Sequence, residues 1–179
     1  MKTKIRTICE ISMFTALMAV CAWIYVPFAI PFTLQTFALF LCLLLSGGKK
    51  SLICTGVYLF IGAVGLPVFS CFGSGFGVLF GAAGGFLWGF PIASALFWML
   101  TALLRATEKT RLLCCFACMA SYYLCGTLWY LLLYAGDGIT LSSALLTCVI
   151  PFIIPDTVKL FLAYIVYARL GKVISIKKS

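Results

Sequence analysis

The sequence predicts an all-α integral membrane protein with six transmembrane helices and both termini on the inner side. Three observations carry that class. Of its 179 residues 64% are hydrophobic and 9% charged, with a mean hydropathy of +1.19, far more apolar matter than a soluble domain of this length needs. Polar or basic breaks divide the apolar matter into pieces that approach the roughly 20 residues a helix needs to cross a bilayer. The basic residues also alternate sides. With the N-terminus inside, Lys2, Lys4, Arg6, Lys49, Lys50, Arg105, Lys109, Arg111, Arg169, Lys172, Lys177 and Lys178 all fall on inner segments, none falls on an outer loop, and Lys159 alone lies within a span. The positive-inside rule asks for this asymmetry, and an odd number of spans would spoil it.

The first span runs from about Ile8 to Val26 and stops at Pro27-Phe-Ala-Ile-Pro31. Its start, MKTKIRTICEISMF, resembles a signal peptide, but the apolar run is long and no small-residue cleavage pattern follows, so it reads as a retained helix. The second, about Leu34–Ser46, is short and ends at Gly47-Gly48-Lys49-Lys50. The third, about Ser51–Gly65, ends at Leu66-Pro67. A glycine-rich segment, SCFGSGFGVLFGAAGG, forms an outer loop between helices three and four, too flexible to be helical throughout. The fourth span runs from Gly84 to Leu104, and the fifth from about Leu112 to Tyr134, ending at Ala135-Gly-Asp-Gly138. The sixth runs from about Ser142 to Leu170. With no polar segment longer than a loop, residues 1–179 read as a single transmembrane domain.

Composition removes several function classes. The net charge of +9 comes from basic residues standing singly or in pairs between apolar runs, a pattern that anchors to an anionic leaflet and does not track nucleic acid. The chain lacks a G-x-x-x-x-G-K-[ST] loop, so it has no ATPase of that kind. It has no histidine, and nine of its ten cysteines are scattered through apolar runs as small hydrophobes, with Cys71 alone in the outer loop. Cys115-x-x-Cys118 has no second pair to complete a zinc site. Glu10, Glu108 and Asp137 sit at edges and loops, so acid–base catalysis cannot be assembled. Neither an enzyme nor a cofactor or metal is expected.

What remains is one stretch, Ile150–Lys172, apolar enough to span yet carrying Asp156 and Lys159. At i,i+3 the two side chains share a helical face, and Pro151 and Pro155 disturb the turns before them. A self-neutralising structural pair would add little over an apolar replacement. Charges within a membrane usually face a cavity and serve a ligand, ion or proton path. The aromatics in or just beyond the glycine-rich segment, Phe69, Phe72, Phe76, Phe80, Phe86, Trp88 and Phe90, supply apolar walls around such anchors. In the first span, Ser12-x-x-x-Ala16 and Thr15-x-x-x-Ala19 permit close helix approach, either to a partner or within the chain.

Four blocks resemble the BioY family, the biotin-binding S components of energy-coupling factor transporters. They are the small-residue first helix leading to Pro31-Phe-Thr-Leu-Gln35, similar to the family's P-x-T-L-Q; Gly65-Leu-Pro-Val-Phe69; Gly81-Ala-Ala-Gly-Gly-Phe86, similar to G-P-T-G-G-Y; and Asp156-x-x-Lys159, similar to D-x-x-K. The resemblance implies a membrane subunit that captures biotin outside the cell and hands it to a transmembrane coupling protein driven by two ATPase subunits. It implies substrate binding by Asp156, Lys159, Gly81, Gly84, Gly85, Phe86, Phe80, Phe69 and Gln35, and a partner interface at Ser12, Ala16 and Ala19. An ionised Asp156 would accept from the ureido N–H groups, and Lys159 would donate to the ureido carbonyl or to the valerate carboxylate. The chain departs from the family at Ala82, Ala83 and Phe86, which replace Pro, Thr and Tyr, and the loss of the tyrosine hydroxyl removes one polar contact to the head group. That departure leaves room for a biotin relative such as desthiobiotin or lipoate. A proton-coupled secondary transporter using the Asp–Lys pair as a gate is the main rival, although the two halves show no evident internal repeat.

Overall fold

The structure, a computed structural model, describes residues 2–27, 30–104 and 107–176, and their side chains except for residues 2, 3, 137 and 171–176. Arg105, Lys177 and Lys178 lie outside the described residues, and Lys2 and Lys172 outside the described side chains. Helix α1 (Lys2–Trp23) leads into a short antiparallel hairpin of β1 (Tyr25–Val26) and β2 (Phe32–Thr33), with Tyr25 opposite Thr33 and Val26 opposite Phe32. Then come α2 (Gln35–Ser46), α3 (Gly48–Ala63), the single turn α4 (Phe76–Leu79), α5 (Gly84–Leu103), α6 (Glu108–Leu133), α7 (Leu141–Cys148) and α8 (Ile150–Ile176).

The sequence explains the joints. Gly47, at φ +76°, turns α2 into α3 within one residue while its N–H bonds Leu43 and its carbonyl accepts from Ser51. Only glycine takes that backbone without strain. Thr107 and Thr140 cap α6 and α7, each hydroxyl accepting from the backbone N–H three residues on. The last span, expected to be continuous from Ser142, is instead two helices broken at Val149 (φ −123°, ψ −57°). Pro151 stands at the break, since its nitrogen cannot donate to the Thr147 carbonyl four residues back, whereas Pro155 lies within α8. The glycine-rich segment contains a 3₁₀ turn at Ser70–Phe72 and the turn α4, with Cys71, Phe72 and Gly75 at positive φ.

Helix α2 is the hub. Ala38 to Leu44 are all buried, enclosed by α1, α3, α5, α6 and α8, so α2 is apolar on every side, as a buried helix should be. The most extensive pairing is α5 on α6, and glycines permit it. A Cβ on Gly85 would fall 2.2 Å from the Trp129 Cβ, one on Gly89 2.8 Å from the Tyr122 Cβ, and one on Gly126 2.4 Å from Phe86. Small residues at such crossings let backbones approach where lipid gives no hydrophobic drive. Large apolar side chains such as Phe60, Leu132 and Ile154 face outward.

Among the described residues, four stretches are long and apolar enough to cross a membrane: Lys4–Trp23, Gly84–Leu103, Glu108–Leu133 and Leu141–Leu170. The 12-residue α2 and 16-residue α3 reach only about 18 and 24 Å. Charged groups gather at one end of the bundle, where Glu10 pairs with Arg6 and with Lys50, Arg111 donates to the Leu44 carbonyl, and Lys49 lies over Trp98.

Candidate substrate-binding site

Asp156 sits two turns into α8, beside the first turn of α2. It is 2% exposed, and Lys159 is 5% exposed. The i,i+3 spacing expected to join them does so, with Lys159 Nζ 2.8 Å from Asp156 Oδ1. Thr36 Oγ1 donates to the same oxygen at 2.9 Å. The other oxygen, Oδ2, accepts from the hydroxyls of Tyr122 and Tyr123, each at 2.8 Å. A carboxylate offers about four lone-pair positions, and all four are filled. The ammonium is equally satisfied. Besides Asp156 it donates to the Thr33 carbonyl at 2.6 Å and to Thr36 Oγ1 at 3.1 Å, and the Phe32 ring covers it with its centroid 3.8 Å away. Buried charges persist only when paired and hydrogen-bonded in this way.

A cavity of about 60 Å³ lies against the pair. Its floor is polar: Asp156, Lys159, Thr36, Tyr122 and Tyr123. Its walls are apolar, from Ile30 and Pro31 of the hairpin, Ala83, Phe86, Leu87 and Phe90 at the start of α5, and Phe152 of α8. Thr33, Gln35 and Ser70 of the glycine-rich segment complete the lining. Gln35 is fixed by its amide, which donates to the Tyr58 hydroxyl at 2.8 Å, and that hydroxyl donates to the Val68 carbonyl at 2.7 Å. The space is well below the roughly 300–1,000 Å³ of ordinary small-molecule clefts, so a ligand of vitamin size must part the walls. Thr36 and the Gly47 turn are 11 residues apart on α2, which puts the site about 16 Å from the basic end.

Of the residues expected to bind substrate, Asp156, Lys159, Gln35 and Phe86 meet at this cavity; the other five lie behind or away from it. Gly81 accepts a 3.0 Å bond from Trp129 Nε1, and Gly84 and Gly85 let α5 approach Leu79 and Trp129. These three shape the wall without lining it. Phe69 is fully buried against Gly62 and edge-on to Tyr58, because the missing Gly62 side chain draws its ring under α3. Phe80 is 54% exposed and stacks on Phe76 one helical turn away, which turns it outward.

The two small-residue stripes of α1 also separate. Ser12 and Ala16 are exposed, whereas Thr15 and Ala19 are buried and the Thr15 hydroxyl donates to the Cys54 carbonyl of α3. Tyr122 and Tyr123 were absent from the sequence reading. The signal that could have found them is that a buried carboxylate requires donors, and the fifth span holds two adjacent tyrosines.

Comparison with known proteins identifies the family and the fold. The BioY family model matches residues 1–176. A biotin transporter BioY from Thermotoga maritima is 34% identical over 168 residues, covering 93% of this chain and 96% of the relative. A probable biotin transporter BioY from Pyrococcus horikoshii is also 34% identical, covering 93% and 97%. Among solved structures, the 2.1 Å crystal structure of the S-component for biotin from an ECF-type ABC transporter superposes with a TM-score of 0.83 at 22% identity, over 96% of this chain and 93% of that one. The chain thus has the S-component fold, with several membrane-compatible helices, and it belongs to the BioY family.

Proposed function

We propose that this chain is the biotin-capturing S component of an energy-coupling factor transporter, without ATPase activity of its own. The observation that carries the reading is the buried Asp156–Lys159 pair at the floor of an apolar-walled cavity. Biotin matches it in kind: a ureido group with two N–H donors and one carbonyl acceptor for the charged floor, and a thiophane ring and alkyl chain for the phenylalanine and leucine walls. The relatives' names, biotin transporters from a bacterium and an archaeon, point the same way. Phe86 lacks the hydroxyl that the family's tyrosine would bring, and Tyr122 and Tyr123 supply hydroxyls to the same floor.

In this reading residues 1–179 form one domain in the cell membrane. It crosses six times, through α1, α2, α3, α5, α6 and α7–α8, with both termini inside. The gathering of Arg6, Lys49, Lys50 and Arg111 at the end away from the cavity supports that orientation. The cavity then opens outward between the hairpin and the glycine-rich segment. The exposed stripe of Ser12 and Ala16 is the docking face for the coupling protein, which two ATPase subunits would drive. Ala19 lends that stripe its backing from the buried side.

The test is equilibrium binding of biotin to the detergent-purified chain, with desthiobiotin, lipoate, thiamin and riboflavin as competitors. Tight, biotin-selective binding without ATP is the expected result. Preference for lipoate or desthiobiotin would reassign the ligand, and failure to bind any of them would overturn the reading.

A further inference from the structure

Asp156 has no acceptor position left and Lys159 has no N–H left. A head group bearing N–H donors cannot simply add to this floor; it must exchange with a bond already made. The partners of Oδ1, Thr36 and Lys159, are bonded to each other, and Lys159 also to the Thr33 carbonyl, so losing either would break more than one bond. The partners of Oδ2 are the two tyrosine hydroxyls, and these are not equivalent. The Tyr122 ring is 1% exposed and wedged between Phe40, Phe90 and Tyr123, with its backbone against Gly89. Tyr123 is also buried, at 7% exposed, but among the described residues its ring has one aromatic neighbour, Tyr122. Its far side borders a second, apolar groove of about 340 Å³ between α6 and α7, lined by Leu124, Leu141, Leu145 and Val149.

We propose that Tyr123 is a displaceable stand-in for the ligand. Its hydroxyl holds the place on Asp156 Oδ2 that a ureido N–H takes, and on binding its ring turns into the groove beside α7 while Tyr122 stays. Thr127, whose buried hydroxyl has no partner among the described residues, lines that groove and offers the displaced hydroxyl one. The inference rests on the biotin reading above and adds a specificity rule. The incoming group must bring an N–H donor of its own, because a ligand without one leaves a buried carboxylate oxygen short of a partner. The motion also enlarges the narrow cavity on the side where space exists.

The experiment is biotin binding to the full-length purified chain carrying Tyr123→Phe, which removes the competing donor but keeps the ring. Binding about tenfold tighter than wild type is expected, the scale of one hydrogen bond to a charged group. Unchanged binding would show that the hydroxyl is not displaced, and weaker binding that it donates to the ligand; either overturns the inference. A second arm fills the groove with Leu145→Trp. The expected result is weaker biotin binding with Tyr123 present and no effect in a Tyr123→Ala background, where no ring needs the space. An equal effect in both backgrounds would also overturn it. Wild-type chain that binds no biotin fails the functional reading instead, so the two failures are distinguishable.

Discussion

Asp156 and Lys159 hold each other at 2.8 Å under almost complete burial, so either one left alone would be a charge without its partner. Asp156→Asn keeps the shape and removes the charge, and a neutral amide oxygen accepts more weakly than a carboxylate. The expected loss in biotin binding is of order 2–5 kcal/mol, read as the ratio of dissociation constants. Normal binding by Asp156→Asn would end the assignment of this residue as an anchor. At this scale the sequence was half legible. The spacing of Asp156 and Lys159 places them on one helical face in any α-helix. Which face of α6 meets them depends on the glycine crossing of α5 and α6, and the low periodicity of an all-round apolar helix hides it. Tyr122 and Tyr123 therefore emerged only with the packing, and Phe69 and Phe80 left the expected site for the same reason.

At the scale of elements, the α5–α6 crossing positions three of the cavity's aromatic side chains, Phe86, Phe90 and Tyr122. Gly85→Val and Gly89→Val push β-branched side chains into Trp129 and Tyr122, where even a Cβ comes within 2.2 and 2.8 Å. Each is expected to destabilise the chain by about 1–3 kcal/mol, seen as a lower thermal midpoint in detergent that biotin only partly restores. Gly77→Ala, with open space around it, is expected to leave the midpoint unchanged. Midpoints that fall equally for all three would show that the crossing is not the sensitive feature. Helix α1 gives the complementary case. Ala16 is exposed and distant in sequence from the cavity lining, so Ala16→Trp is expected to leave biotin binding within about threefold, an energy change well below 1.4 kcal/mol, while abolishing uptake in cells that carry the coupling protein and ATPases. Uptake unimpaired by the bulky residue would remove this stripe as the docking face. Helix ends followed from apolar run length and breaks to within about four residues, except that α1 begins six residues before the expected Ile8 and α8 ends six after the expected Leu170. The hairpin did not, because two-residue strands are too short for alternation to register, and neither did the break at Val149.

For the whole molecule, the proposed orientation, with the basic end inward and the charged-floor cavity outward, can be tested with a cysteine already in the chain. Among the described residues only Cys9 and Cys71 are exposed, and the other eight cysteines are buried or partly so. Cys71 lies in the glycine-rich segment beside the hairpin end of α1, where the neighbouring Phe72 stacks on Trp23 at 5.4 Å and Trp23 bonds the Pro67 carbonyl. Cys9 lies within one turn of Arg6 and Glu10 at the basic end. If positive charge faces inward, a membrane-impermeant maleimide added to intact cells reaches Cys71 and not Cys9. Labelling of the wild-type chain that disappears in Cys71→Ser is the expected outcome. Labelling that survives Cys71→Ser but is lost in Cys9→Ser would invert the orientation. The cavity would then open to the cytoplasm, and a capture subunit facing that way could not collect a vitamin from outside.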